Sequence, residues 1–169
     1  MTSASTRYER HSEGTVSIPA SASDVFAFID DHKRLASHMN RPSWMTGGGR
    51  MDATVDARQG QAIGSHITMS GKAFGLTLFL DEVVTTHDPP HRKTWETVGN
   101  PRLVVIGRYG MGVEVSDRGE ACSLRVWIDY DLPPRRWIGR LFGSIYAKWC
   151  VSKMINDTRN HFREATRHA

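Results

Sequence analysis

Apolar and polar residues alternate along most of this chain, and the alternation changes period at two places. Tyr8 to Ile18 reads as a strand, with Val16 and Ile18 on one face and Thr15 and Ser17 on the other. Pro19 ends it, because proline cannot donate to a ladder. Ser21 is a good helix N-cap and Asp24 follows three residues later, a weak capping box, so Val25, Phe26, Phe28 and Ile29 form the apolar face of a helix. A second short helix is expected over Asp31 to Met39. Pro42 and Gly47-Gly48-Gly49 then mark a loop around Trp44 and Met45.

Period-two segments follow over Arg50–Ala57, Ala62–Ser70, Leu76–Val84, Lys93–Val98, Leu103–Val115 and Cys122–Leu132, separated by turn signals at Asp88-Pro89-Pro90, Asn100-Pro101 and Asp117-Arg118-Gly119. Pro133-Pro134 closes the last of them and opens a long helix to about Arg167. Short connections between successive strands imply an antiparallel meander with one face buried. The final helix carries two stripes. Ile138, Leu141, Phe142, Ile145 and Trp149 form one; Ala147, Val151, Met154, Ile155, Thr158 and Phe162 form the other, nearly opposite. The second persists longest and is the expected sheet-facing stripe. The first requires a break at Gly143, or a partner, a membrane or a loop to cover it.

This order of elements resembles the START-like (SRPBCC, helix-grip) superfamily, in its polyketide cyclase/dehydratase-like branch. The resemblance is carried by Val16-Ser17-Ile18-Pro19-Ala20-Ser21 opening into Asp24 to Ile29, by Glu82-Val83-Val84 leading to Pro89-Pro90, by Leu124 to Leu132, and by Tyr146 to Cys150 in the last helix. It implies an α+β fold: a curved antiparallel sheet of about six to seven strands around a long C-terminal helix, with two short helices after the first strand. It also implies a cavity for lipids, polyketides or other apolar molecules. The superfamily includes both carriers and enzymes, so fold alone does not decide function.

The chemistry-bearing residues are few. Met69, Leu78, Trp95, Tyr109, Met111, Ile128 and Tyr130 on the sheet are expected to face Trp149, Met154 and Phe162 on the helix and to bind an apolar ligand. Tyr109 and Tyr130, on the apolar faces of neighbouring strands, are the candidate catalytic residues, as donors to a carbonyl or enolate oxygen. Glu82 is in phase with Leu76, Leu78 and Leu80, so it points inward unless a bulge turns it out; the pattern leaves both open. His66 and Arg108 alternate to the polar face. His32 and His38 belong to a solvated helix or rim a pocket entrance. His87 and His91 bracket two prolines, and an i, i+4 metal pair needs a helix there.

Composition narrows the rest. The 169 residues fit one domain, with residues 1–7 frayed, and the 39% hydrophobic and 24% charged content is that of an ordinary globular chain. No stretch reaches membrane-spanning length and the N-terminus lacks a signal-peptide core, so stable membrane insertion is not expected and the cytoplasm is the expected compartment. Cys122 and Cys150 have neither disulfide-framework nor zinc spacing and read as small buried hydrophobes. No metal site is expected. No dinucleotide fingerprint or phosphate loop is present, so no cofactor is expected. The net charge of +4 gathers in the last helix, but no nucleic-acid motif accompanies it. The expected partner is a hydrophobic small molecule. A homodimer through the Ile138–Trp149 stripe is a further possibility, and Trp44 to Gly49 is a candidate lid.

Overall fold

A computed structural model describes residues 8–35, 50–73 and 75–167. The expected loop and lid from Trp44 to Gly49, and His38, lie outside the described residues. Strand β1 (Arg10–Ile18) leads into helices α1 (Ala22–Asp30) and α2 (His32–Leu35). Six strands follow: β2 (Arg50–Val55), β3 (His66–Ala73), β4 (Leu76–Asp88), β5 (Arg92–Arg102), β6 (Tyr109–Arg118) and β7 (Ala121–Tyr130). A three-residue helix α3 (Arg136–Ile138), a π-helical turn (Gly139–Gly143) and helix α4 (Ser144–Arg167) end the chain.

The strands form one antiparallel sheet in the order β1-β7-β6-β5-β4-β3-β2. Every neighbour after β1 is a meander neighbour, and β1 closes on the last strand, from Arg10 opposite Tyr130 to Ile18 opposite Cys122. The sheet curls over α4. Alternation sorts the side chains. Leu78, Leu80, Glu82 and Val84 of β4 face inward, as do Leu124, Val126, Ile128 and Tyr130 of β7.

The local signals act as read. Ser21 Oγ accepts from the Asp24 N–H at 3.1 Å and donates to the Asp24 carboxylate at 2.7 Å. Such a cap is worth about 1 kcal/mol. Val25, Phe26 and Ile29 then bury one face of α1. On α4 the second stripe is the inner one, with Ala147, Val151, Met154, Ile155 and Thr158 buried. Helix and sheet approach closely at Gly14, where a Cβ would stand 2.7 Å from Ile155 Cδ1.

Three details differ from the expectation. Asn100-Pro101 belongs to β5 rather than to a turn; β5 pairs with β6 only as far as Glu96 opposite Gly110, so Pro101 sits where a donor on that side is not needed. Leu103 to Arg108 is not strand. Its backbone bonds to the extension of β7 instead, Gly107 N to Asp131 O and Asp131 N to Arg108 O, both at 2.8 Å. Nor does Gly143 break the last helix. The backbone stays helical at Ile138 (φ −64°, ψ −48°) and Ser144 (φ −66°, ψ −38°), and the intervening π turn shifts the phase between the two stripes.

Candidate functional site

Between the sheet and α4 lies a cavity of about 50 Å³. Its wall is almost wholly apolar and includes Met69, Leu80, Trp95, Leu103, Ile106, Met111, Ile128 and Met154. Four polar groups interrupt it: Glu82, Tyr109 and His32 on one side, Tyr146 on α4.

Glu82 points inward, because β4 keeps strict alternation through it; the register shifts of the β4–β5 pair fall between Phe79 and Asp81 and between Val84 and Thr86. Its residue is 1% exposed. The Tyr109 hydroxyl donates to Glu82 Oε1 at 2.5 Å. The other oxygen, Oε2, makes no hydrogen bond and lies 3.5 Å from His32 Nε2. His32 is 2% exposed, its Nδ1 is likewise without a hydrogen bond, and its ring stands edge-on to Trp95 at 4.9 Å. A buried carboxylate is costly unless hydrogen-bonded, and this one holds a single hydrogen bond. The arrangement therefore concentrates unsatisfied polar capacity at one end of an apolar cavity.

Tyr109 is positioned by its backbone as well as its ring. Thr97 Oγ1 accepts from the Tyr109 N–H at 3.1 Å and donates to the Tyr109 carbonyl at 3.3 Å, which fixes the first residue of β6 against β5. Burial, and then the Glu82 carboxylate, push the Tyr109 phenol well above its ordinary range, so it is a neutral donor at any physiological pH. Tyr146 is pushed up in the same way, first by burial. Its hydroxyl bonds to the thiol of Cys150 one turn on, and burial raises that thiol to about 12. Cys150 is thus an inert lining group rather than a nucleophile.

A second polar cluster lies under the same sheet. Lys93, fully buried, donates to Asp30 Oδ1 at 2.7 Å and to the Asp30 carbonyl at 3.0 Å, at the C-terminal end of α1. His87 Nε2 lies 3.0 Å from Asp30 Oδ2. Burial lowers the Lys93 pKa, opposed by Asp30.

Of the residues expected to line a site, Met69, Trp95, Tyr109, Met111, Ile128 and Met154 do line the cavity. Leu78, Tyr130 and Trp149 do not. Leu78 and Tyr130 are buried in the surrounding core, Tyr130 against the backbone of Gly143. Trp149 lies half-buried beside Tyr146 on the flank of α4, because the helical period sets it nearly opposite Val151 of the inner stripe. Of the two candidate tyrosines, Tyr109 lines the cavity and Tyr130 lies behind its wall. Phe162 packs on Phe28 at the far end of α4. His66 faces outward and bonds to Asp81 at 3.0 Å, and Arg108 pairs with Asp131. His32, expected on a solvated helix or at the rim of a pocket entrance, is buried in the cavity wall; the four described residues of α2 are too few for periodicity to reveal a face. Tyr146, Cys150 and Met154 follow at i, i+4, i+8, a spacing that could have found the first two. Among the described residues no group of three or more His, Cys, Asp or Glu is placed to hold a metal ion.

Comparison with solved structures places this architecture among known ones. A protein from Thermus thermophilus is similar over 92% of this chain and 99% of its own, with a TM-score of 0.68 at 15% identity. A Thermobifida fusca protein covers 90% and 92%, with a TM-score of 0.62 at 16% identity. A point mutant of norcoclaurine synthase from Thalictrum flavum, solved with a transition-state analogue, covers 93% and 96%, with a TM-score of 0.64 at 12% identity. At such identities the likeness is one of fold. No curated protein matches the sequence. The family model described as polyketide cyclase / dehydrase and lipid transport matches residues 9–160, from the first strand deep into α4. The sheet, most of the gripping helix and the residues that line the cavity fall within that match, and the chain belongs to this family, within the START-like superfamily.

Proposed function

We propose that the protein, acting in the cytoplasm, binds a hydrophobic or amphipathic small molecule in this cavity and orients it through one polar end. The observation that carries this reading is the buried Glu82–Tyr109 hydrogen bond, with His32 beside it, in a wall that is otherwise apolar. Apolar burial supplies the affinity and the polar end supplies the orientation. The cavity of about 50 Å³ has room for little more than one water, so binding a lipid- or polyketide-sized molecule requires the wall to open. Met69, Met111 and Met154 fit that requirement, since methionine repacks at low cost.

Native mass spectrometry of the purified protein, followed by organic extraction, tests the reading: a co-purifying apolar compound released on denaturation is expected. Displacement of a fluorescent apolar probe then reports affinity. Tyr109→Phe should weaken a carbonyl- or hydroxyl-bearing ligand by about tenfold, the worth of one hydrogen bond, and leave a hydrocarbon ligand unchanged. Equal loss for both ligands would show that Tyr109 only fills space, and failure to bind any apolar probe would remove the reading.

The same geometry favours a second reading, an enzyme of cyclase or dehydratase type. Glu82 Oε2, free of hydrogen bonds, is placed to take a proton from carbon next to a carbonyl; the electron pair moves onto the carbonyl oxygen, and the Tyr109 hydroxyl gives up its hydrogen bond to Glu82 Oε1 and turns its one proton to that oxygen. Tyr109→Phe should then slow turnover by about 100-fold or more with little change in binding, whereas Tyr130→Phe should change it by no more than about twofold. Turnover that survives Tyr109→Phe intact would sink the enzymatic reading while leaving the binding reading in place.

A further inference from the structure

The C-terminal segment is arranged inside out where it begins. Along the π turn the buried residues are Gly139 and Gly143, while Leu141 and Phe142 are exposed. A Cβ on Gly139 would stand 2.3 Å from Pro133 Cδ, and one on Gly143 would stand 3.1 Å from the Val105 carbonyl oxygen. The segment therefore rests its bare backbone on the β5–β6 and β7–α3 connections, a close approach that glycine permits. The large apolar side chains take the other side. Trp137 is 62% exposed, Leu141 59%, Phe142 48% and Ile145 51%. Single exposed apolar residues are ordinary, but these four fall within nine residues of one helical segment and make a patch.

The patch adjoins the cavity. Gly143 lies against Val105 and near Ile106, Ile106 lines the cavity, and Tyr146 and Cys150 line it from the next turns of α4. Charge indicates what the patch faces. Between Asp131 and Asp157 the chain contains no carboxylate, yet it carries Arg135, Arg136, Arg140, Lys148 and Lys153. Lys153 pairs with Asp157. Arg135, Arg140 and Lys148 are exposed and flank the apolar residues along the helix. A second copy of the chain, meeting this face across a twofold axis, would bring like charges together. An anionic bilayer accommodates both parts: acyl chains receive Trp, Leu, Phe and Ile, and headgroup phosphates receive Arg and Lys. Among the described residues no helix is long and apolar enough to cross a membrane, so the contact is one of surface docking.

We propose that Trp137–Ile145, with its flanking cations, is a peripheral docking surface for anionic lipid bilayers that seats the adjoining end of the cavity on the membrane. The docking does not depend on what the cavity holds, and it is measured without ligand.

The test is co-sedimentation of the full chain with vesicles of phosphatidylcholine alone or mixed equally with phosphatidylglycerol. Binding to the mixed vesicles is expected, weakening as salt rises. Leu141→Asp and the double variant Arg135→Glu/Arg140→Glu should each lower it by about tenfold or more. All three side chains are exposed, so circular dichroism and the thermal midpoint should stay as in the wild type. As a second readout, lipids brominated in the acyl chains should quench wild-type fluorescence more than that of Trp137→Phe. Absence of binding to mixed vesicles at low salt overturns the proposal, as does Leu141→Asp binding like the wild type. A concentration-dependent dimer that Leu141→Asp dissolves, without vesicle binding, would assign the patch to a second copy instead.

Discussion

Two carboxylates in this protein live under opposite conditions. Glu82 is buried with one hydrogen bond to its carboxyl group. Asp56, in the turn after β2, accepts from the Ser65 hydroxyl at 2.5 Å, the Arg58 N–H at 3.1 Å and the His66 N–H at 3.2 Å. The Ser65 bond above all holds the Asp56 carboxyl down at about 2. Because the folded state prefers the ionised form more than the unfolded chain does, this contribution is fully present above the ordinary aspartate value near 3.8. It is lost as pH falls from there through about 2. Urea unfolding as a function of pH should show the wild type losing stability over that window more steeply than Asp56→Asn. Parallel curves would mean that the turn gains nothing from the charge. Glu82 and Asp56 thus separate a residue held for structure from one whose hydrogen-bonding capacity is left free in a cavity.

At the scale of elements, an ionic cluster adds to the apolar packing of α1 on the sheet. Lys93 reaches across from β5 to the last carbonyl and the carboxylate of Asp30, while His87 from β4 holds the other oxygen. Removing one member leaves its partner's charge with too little compensation, so Lys93→Met should destabilise by about 3–5 kcal/mol. Asp30→Asn/Lys93→Met should lose less than the sum of the two single losses, as a thermodynamic cycle in urea would measure; strict additivity would deny the coupling. This cluster also marks where the sequence stops being legible. Strand positions, the α1 cap and the inward stripe of α4 rest on local periods and can be read. Lys93 has the inward phase of Trp95 and Thr97, but its residue type argues outward, and its partner lies 63 positions away. Glu82 poses the same conflict, resolved only by Tyr109 across the sheet. The π turn defeats a reading of the last helix from its pattern, since a single period cannot place residues on both sides of a phase shift. For that reason the pattern leaves Leu141 and Phe142 without assigned surroundings; Trp149, expected in the cavity, lies beyond the turn, and its own phase on α4 sets it opposite Val151.

For the whole molecule, the cavity and the outer patch share one end of the helix that grips the sheet, so chemistry at the membrane face and chemistry inside are neighbours in space. The topology has a further consequence, for the order in which the chain is made. The first strand has a single sheet neighbour, and it is the last strand: Glu13 sits opposite Trp127, and the Arg125 guanidinium bonds to Glu13 across 112 residues. During synthesis β1 must therefore remain unpaired while six further strands emerge. Long-range pairing of this kind is slow and leaves strand edges open in the meantime. A nascent chain stalled before Ala121 should stay sensitive to protease along its first strand, whereas one extended past Arg167 and clear of the ribosome should become resistant there. The first strand of the sheet finds its pairing partner only in the last one, and any delay in translation between them lengthens the time during which that strand must be kept from finding a wrong partner.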